Sequence, residues 1–136
     1  MAPVTSTYRL QLGPDLDLDG AARLLPYLRR LGASHAYLSP VLQAAPGSTH
    51  GYDVVDHSRV SAELGGEAAW DRLVGAAREC DVGLVLDVVP NHMAIAGRHN
   101  RWWWDVLENG PSSVYAGYFD VDWDPPESKL RNRVLL

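Results

Sequence analysis

The sequence has little cysteine, little lysine and no long apolar run. Cys80 is the one cysteine among 136 residues, which excludes an intrachain disulfide and a metal cluster built on cysteines. The formal charge is −5, and Lys129 is the one lysine among 12 basic residues. An acidic chain without a basic patch argues against partners such as nucleic acid or an anionic membrane, because their phosphates require clustered lysine and arginine.

Signatures of several other protein classes are also missing. No stretch reaches the roughly 18 apolar residues of a membrane span, and no base precedes an apolar core at the start, as it would in a signal peptide. A cytoplasmic protein is therefore expected. The sequence contains no glycine-rich phosphate loop and no G-x-S-x-G motif, which argues against a nucleotide-binding protein and a serine hydrolase.

The sequence does contain an alternation of strand and helix patterns, in a chain too short for the roughly 250 residues of a closed (β/α)8 barrel. Leucines recur at helical spacing before Gly32, and Asp17 or Asp19 is expected to cap that helix. The predicted elements are a strand at 8–12, a helix at about 20–31, a strand at 34–38, a long loop from 41 to about 66, a helix at 67–80 and a strand at 83–89.

The strand at 83–89 is nearly continuously apolar, which is typical of a strand buried on both faces of a parallel sheet. Two βαβ units in succession predict a parallel α/β architecture. After Pro90 the regular pattern fades, and residues 91–136 are interpreted as a long loop or subdomain inserted after the third strand. Because Val134-Leu-Leu136 resembles the beginning of another apolar element, we expect a fragment with about three βα units.

Candidate site residues follow the second and third strands, in His50-Gly-Tyr-Asp53 and Asp87-Val-Val-Pro-Asn-His92. In parallel α/β sheets, ligands gather beyond the carboxyl ends of the strands. An unpaired carboxylate at Asp87 would cost several kcal/mol, so this residue either serves a site or anchors a loop amide or an arginine. Four side chains in these segments could also bind a metal, but their spacing matches no tight zinc pattern. Calcium would fit the oxygen ligands better, but nothing in the sequence specifies a calcium site, so no metal is expected. These four are His50, Asp53, Asp87 and His92.

Three consecutive tryptophans, Trp102, Trp103 and Trp104, cannot all face one core, so some are expected to be exposed or to line a cleft. From Trp102 to Ser128 there are six acidic residues and no basic one. Aromatic faces pack on the C–H surfaces of sugars, and carboxylates accept hydrogen bonds from hydroxyls. This composition favours a neutral, polyhydroxylated ligand. The alternative is that the aromatic residues only cap one end of the sheet and that the acids are solvated.

Several of these segments resemble a known family. Asp87–His92 is similar to the first signature segment of the α-amylase superfamily of glycoside hydrolases and transglycosylases. His50–Asp53 resembles the segment in which that superfamily's tyrosine stacks on the sugar next to the scissile bond. Five further segments resemble the maltooligosyl trehalose synthases within the superfamily: Ser6-Thr-Tyr-Arg-Leu10, Tyr37-Leu-Ser-Pro40, Pro46–Asp53, Glu63-Leu-Gly-Gly66 and Trp102–Ser113.

The resemblance implies the N-terminal part of a (β/α)8 TIM barrel, incomplete in this chain, with the remainder of the barrel in a full-length chain. It implies an isomerase of trehalose biosynthesis. Such an enzyme converts the reducing-end α-1,4 bond of a maltooligosaccharide to an α,α-1,1 bond by intramolecular transglycosylation. The chemistry would be retaining, with a carboxylate nucleophile and a carboxylic acid that acts as acid and then base. Since those carboxylates belong to later strands, no catalytic residue and no activity is expected in this chain alone, and no cofactor is implied.

The resemblance also implies the substrate-binding residues. Tyr52 would stack on the ring at the cleaved bond, and His92 would hydrogen-bond a hydroxyl of that sugar. The pocket would be completed by Asp53, Asp87 and Asn91, which would hold its shape, and by His50.

Two other functions remain open. One is a hydrolytic enzyme of the same superfamily, against which only Trp102–Ser113 and Pro46–His50 argue. The other is a short, non-catalytic carbohydrate-binding protein, which the apolar end at Val134-Leu-Leu136 disfavours.

Overall fold

A computed structural model of the chain describes residues 3–130, so the apolar segment at Val134-Leu-Leu136 lies outside the described residues. The chain divides between Ala94 and Ile95 into two compact units, which are described separately. The first unit contains the strands β1 (Thr7–Leu10), β2 (His35–Leu38), β3 (Leu42–Ala44), β4 (Val54–Val60) and β5 (Gly83–Leu86), with the helices α1 (Leu18–Leu31) and α2 (Gly66–Glu79).

Three strands of the first unit form a parallel sheet in the order β1-β2-β5. Arg9 on β1 pairs in register with Tyr37 on β2, and Tyr37 pairs with Val85 on β5. Helix α1 connects the first two strands, whereas β3, β4 and α2 lie between the second and the third. The predicted parallel α/β architecture is therefore confirmed, and all three strands have their carboxyl ends at one edge of the sheet.

The two long helices begin and end close to the predicted positions, and α1 has a specific residue at each end. Asp17 caps α1, and its carboxylate accepts a 2.7 Å hydrogen bond from the backbone N–H of Gly20. Gly32 ends the helix in the left-handed conformation, with φ of 92°. Asp19, the other predicted cap, instead accepts two hydrogen bonds from Arg72 on α2, at 2.7 and 2.8 Å.

The core of the first unit lies between the sheet and the two helices. On α1, Leu18, Leu25 and Leu28 are buried, whereas Leu24 is half-buried and Leu31 at the end of the helix is exposed. Helix α2 contributes Leu73 and two alanines from one face. The largest fully buried side chains in this core are Leu18, Leu25, Leu28, Leu38 and Leu73. Burial of this apolar face is what the leucine pattern predicts.

The prediction of a long loop from residue 41 to about 66 is wrong. It contains the antiparallel pair β3–β4 and a short 3-10 turn at Ala62–Leu64. The pairing is irregular between Leu42 and Ala44, and the adjacent side chains of Gln43 and Ala44 are both buried. The amide oxygen of Gln43 accepts a 3.0 Å hydrogen bond from the N–H of Ala62, which satisfies this buried polar group.

The third parallel strand is shorter and more exposed than predicted. The strand ends at Leu86 rather than at Val89, and Leu86 is 38% exposed. The prediction that it is buried on both faces is wrong in this chain, because β5 lies at an edge of the described sheet and lacks a neighbour on that side.

The second unit contains a helix where the sequence shows little periodicity. Helix α3 spans Arg101–Asn109, and Asn100 caps it by accepting a 3.0 Å hydrogen bond from the N–H of Trp103. Short 3-10 turns follow at Gly110–Ser112, Ala116–Tyr118 and Ser128–Leu130. The interpretation of residues 91–136 as a subdomain inserted after the third parallel strand stays a prediction.

Among residues 3–130, no helix combines the length and apolar character needed to cross a membrane.

Candidate functional site

Two of the predicted site residues meet at the carboxyl ends of the parallel strands. The hydroxyl of Tyr52 donates a 2.6 Å hydrogen bond to Oδ2 of Asp87. Asp87 follows β5 directly, and its backbone N–H continues the ladder to the carbonyl of Leu38 at 2.9 Å. Tyr52 comes from the loop between β3 and β4, so the two residues come from different parts of the first unit.

Two further side chains complete what we call the strand-end cluster, which consists of Arg9, Tyr37, Tyr52 and Asp87. The hydroxyl of Tyr37 donates to Oδ2 of Asp87 at 3.2 Å. The guanidinium of Arg9 donates to the hydroxyl of Tyr52 at 3.1 Å and lies 3.5 Å from the Asp87 carboxylate. The same guanidinium lies over the ring of Tyr37, 5.0 Å from its centroid.

The cluster keeps Asp87 ionised and Tyr52 neutral. Hydrogen bonds from Tyr52 and Tyr37, with the nearby charge of Arg9, lower the pKa of Asp87 despite its partial burial. The pKa of Tyr52 is raised because its hydroxyl proton is donated to the Asp87 carboxylate, although Arg9 opposes this effect. An ionised carboxylate with these partners is suited to orienting side chains rather than to donating a proton.

The turn that presents Tyr52 depends on Gly51. Its φ is 80°, and a Cβ at this position would lie 2.9 Å from the carbonyl oxygen of Pro40. Ser48 closes the turn: its hydroxyl accepts a 3.0 Å hydrogen bond from the N–H of Gly51 and donates to Asp53. Asp53 therefore takes part in the hydrogen bonds of the loop that carries Tyr52, and its role in a sugar pocket stays a prediction.

His50 also contacts this turn. Its Nδ1 accepts a 3.0 Å hydrogen bond from the N–H of Tyr52, and its ring stacks on that of Tyr52 at a centroid distance of 6.0 Å. Nδ1 also lies 3.8 Å from the Asp53 carboxylate. Since an Nδ1 that accepts a hydrogen bond carries no proton, we interpret this contact as a near approach rather than an ion pair.

Asn91 and His92 are exposed, and the structure does not join them to the strand-end cluster by a hydrogen bond within the described residues. Nδ1 of His92 lies 3.2 Å from the amide oxygen of Asn91. Both side chains follow β5, as predicted, and both are accessible to a ligand. Their predicted role in binding stays a prediction.

The three tryptophans of α3 have three different environments, and Trp102 and Trp104 are half-buried rather than exposed. Trp103 is buried and contacts Phe119, with ring centroids 5.1 Å apart. Trp102 stacks on Tyr115 at 5.5 Å with an interplanar angle of 7°. Trp104 lies under the guanidinium of Arg98, 4.6 Å from the ring centroid. These residues belong to the second unit, and their role as cleft aromatics stays a prediction.

Arg9 and Tyr37 are members of the cluster that the sequence did not predict as site residues. Arg9 occupies the polar side of β1, and the polar side of an alternating strand is typically the side that faces solvent. The signal that could have found it is the parallel register, because Arg9 and Tyr37 occupy equivalent positions on neighbouring strands.

The geometry can be compared with known proteins. The family model for the α-amylase catalytic domain matches residues 11–133 of the sequence. The chain belongs to the α-amylase family. The sheet β1-β2-β5 and the helices between its strands are thus the N-terminal part of that family's (β/α)8 barrel, which is incomplete in this chain.

The relatives of this chain include maltooligosyl trehalose synthases and a debranching enzyme. The chain is 48% identical over 134 residues to a Mycobacterium tuberculosis protein assigned as a maltooligosyl trehalose synthase, covering 94% of this chain and 18% of that protein. The maltooligosyltrehalose synthase of Arthrobacter ramosus is 56% identical with a TM-score of 0.84, covering 89% of this chain and 16% of that one. A debranching enzyme of Nostoc punctiforme is 33% identical, with a TM-score of 0.66, covering 88% and 25%. The chain therefore spans less than a fifth of the length of the first two relatives.

Proposed function

We propose that these residues are the N-terminal part of a maltooligosyl trehalose synthase. This enzyme converts the reducing-end α-1,4 bond of a maltooligosaccharide to an α,α-1,1 bond. The observation that carries the proposal is the difference in similarity within the α-amylase family. The TM-score is 0.84 against the Arthrobacter ramosus synthase and 0.66 against the Nostoc punctiforme debranching enzyme.

The strand-end cluster serves as the floor of the sugar site in this proposal. Asp87 and Arg9 both contact the hydroxyl of Tyr52, at 2.6 and 3.1 Å, and this fixes the position of the outer end of the ring. A fixed aromatic ring offers a flat apolar face on which a glucose ring at the cleaved bond can stack. The cluster then contributes preorganised binding, without a proton transfer of its own.

His92 and Asn91 would contact the sugar at the same edge of the sheet. Both are exposed just beyond the end of β5, where a hydroxyl of the bound sugar can reach the imidazole. The hydrogen bond from the imidazole would tighten as the sugar ring flattens toward an oxocarbenium ion, and so would favour the transition state over the bound substrate.

The reaction needs groups that this chain is not proposed to supply. A retaining mechanism requires a carboxylate nucleophile and a second carboxyl group that acts as acid and then base. Asp105 is not a candidate for either role, because it accepts a 3.0 Å hydrogen bond from Asn109 within α3 and another from Ser113, which joins α3 to the turn after it. We therefore expect the 136-residue chain alone to be inactive on maltohexaose.

The second candidate is a hydrolase of the same family, favoured by the 33% identity to the debranching enzyme. The two functions differ in what happens to reducing ends, because hydrolysis creates one per bond cleaved whereas the isomerisation removes one. The test is to express the whole reading frame that contains this sequence and to incubate the purified protein with maltohexaose. Loss of reducing ends without loss of chain length supports the synthase, and a gain of reducing ends supports the hydrolase.

A further inference from the structure

Arg9 contacts every other member of the strand-end cluster. Its Nη2 donates to the hydroxyl of Tyr52 at 3.1 Å, its Nη1 lies 3.5 Å from Asp87, and its guanidinium covers the ring of Tyr37. In a fourth contact, Nη2 of Arg9 donates to Oε1 of Gln11, two residues further along the chain, at 3.0 Å. The side chain is 38% exposed, so these contacts rather than burial hold it in place.

We propose that Arg9 is a positioning residue of the sugar site and that it acts through the phenol of Tyr52. This inference rests on the proposed function. A phenol that makes one hydrogen bond can still move about the partner atom. A second bond to the same hydroxyl, which Arg9 supplies from β1, restricts that movement.

The chemistry of the guanidinium fits this role better than a catalytic one. An arginine side chain stays protonated at every working pH, so it neither accepts nor transfers a proton in the reaction. Its planar fork can address the Tyr52 hydroxyl and the Asp87 carboxylate together while stacking on Tyr37. A lysine would keep the charge but not the fork, and would satisfy only part of this geometry.

A purely structural role for Arg9 makes a different prediction. In that case Arg9 would tie β1 to the neighbouring loop, and its loss would have the same effect whether or not Tyr52 carries a hydroxyl. If Arg9 acts through that hydroxyl, the two losses overlap and are not additive. A double-mutant cycle between Arg9→Gln and Tyr52→Phe separates the two roles.

The cycle is measured as kcat and KM on maltohexaose, using the protein from the whole reading frame. We expect Arg9→Gln to lower kcat/KM roughly tenfold in the unsubstituted protein, within the range of couplings between contacting residues, and less than about twofold in the Tyr52→Phe background. Arg9→Lys should recover part of the loss. Arg72→Gln is the matched control, because it removes another arginine hydrogen-bonded to a carboxylate, at Asp19 on α1, and should leave kcat/KM unchanged in both backgrounds.

Each outcome decides between the claims. Equal losses in both backgrounds overturn the positioning role and leave the proposed function intact. An unsubstituted protein that makes no non-reducing product overturns the proposed function, and the positioning role falls with it. Thermal midpoints of all variants are measured alongside, and if Arg9→Gln lowers the folded fraction, the cycle with Arg9→Lys gives the same decision.

Discussion

The hydroxyl of Tyr52 and the carboxylate of Asp87 are 2.6 Å apart, although the two residues are separated by 35 positions in the sequence. This contact joins the turn before β4 to the end of β5. It places an aromatic ring at the carboxyl edge of the parallel sheet, where ligands of α/β barrels bind. Asp87 is half-buried, and its contacts with Tyr52, Tyr37 and Arg9 hold the ring of Tyr52 at this edge.

Substitutions at Tyr52 should separate the ring from its hydroxyl. In the protein from the whole reading frame, Tyr52→Ala removes both and should lower kcat/KM roughly thirty- to thousand-fold, which corresponds to about 2–4 kcal/mol. Tyr52→Phe keeps the stacking face and should cost about tenfold or less. Steady-state kinetics on maltohexaose checks both values, and a Tyr52→Ala variant with near-normal activity would remove this residue from the site.

His92→Ala should damage catalysis more than folding. The imidazole is exposed and hydrogen-bonds only the neighbouring Asn91 among the described residues, so its loss should leave the thermal midpoint nearly unchanged. A contact that tightens in the transition state lowers kcat rather than only raising KM. We expect a fall in kcat of roughly thirty- to thousand-fold. A lowered thermal midpoint with normal kcat in the folded protein would instead indicate a structural residue.

Two glycines of the loop before β4 provide a matched pair. Gly51 and Gly47 have similar positive φ angles, 80° and 78°, so alanine at either position is strained to a similar degree. A Cβ at Gly51 would meet the Pro40 carbonyl at 2.9 Å, whereas one at Gly47 would meet nothing within 4 Å. Gly51→Ala should therefore displace Tyr52 and lower kcat/KM by about tenfold or more, while Gly47→Ala should have a much smaller effect. Equal losses in the two variants would show that loop strain, not the position of Tyr52, limits activity.

The ion pair between Asp19 and Arg72 should make a small, pH-dependent contribution to stability. Hydrogen bonding to Arg72 lowers the pKa of Asp19 below its ordinary value of 3.8 in the folded chain. A lowered folded pKa stabilises the protein above the ordinary value, and this stabilisation is lost as the pH falls through the folded pKa. Arg72→Gln should thus reduce the thermal midpoint by at most a few degrees at pH 7 and by less below pH 3.8. A difference that stays constant from pH 7 to pH 2.5 would contradict this assignment.

The parts of the fold that the sequence predicts are those with strong local signals. The leucines of α1, the cap at Asp17 and the stop at Gly32 determine that helix almost by themselves. The β3–β4 pair has no such signal, because β3 has three residues and includes the buried polar side chain of Gln43. Helix α3 is also hard to detect, since its nine residues bury only Trp103 and Val106.

The candidate site likewise contains residues that the sequence indicates and residues that it does not. Tyr52 and Asp87 stand out because an aspartate in an apolar strand and a tyrosine in a glycine-containing turn are unusual. Arg9 and Tyr37 belong to the site only because parallel pairing brings them to the same height on neighbouring strands. That pairing is a tertiary property, and the alternation of residues along β1 does not reveal it.

The most direct test of the proposed function follows reducing ends and product mass together, in one incubation of the whole reading-frame protein with maltohexaose. We expect reducing ends to disappear, the product to keep the mass of the substrate and an α,α-1,1 linkage to appear in its proton NMR spectrum. An increase in reducing ends, with shorter maltooligosaccharides and no such linkage, would contradict it.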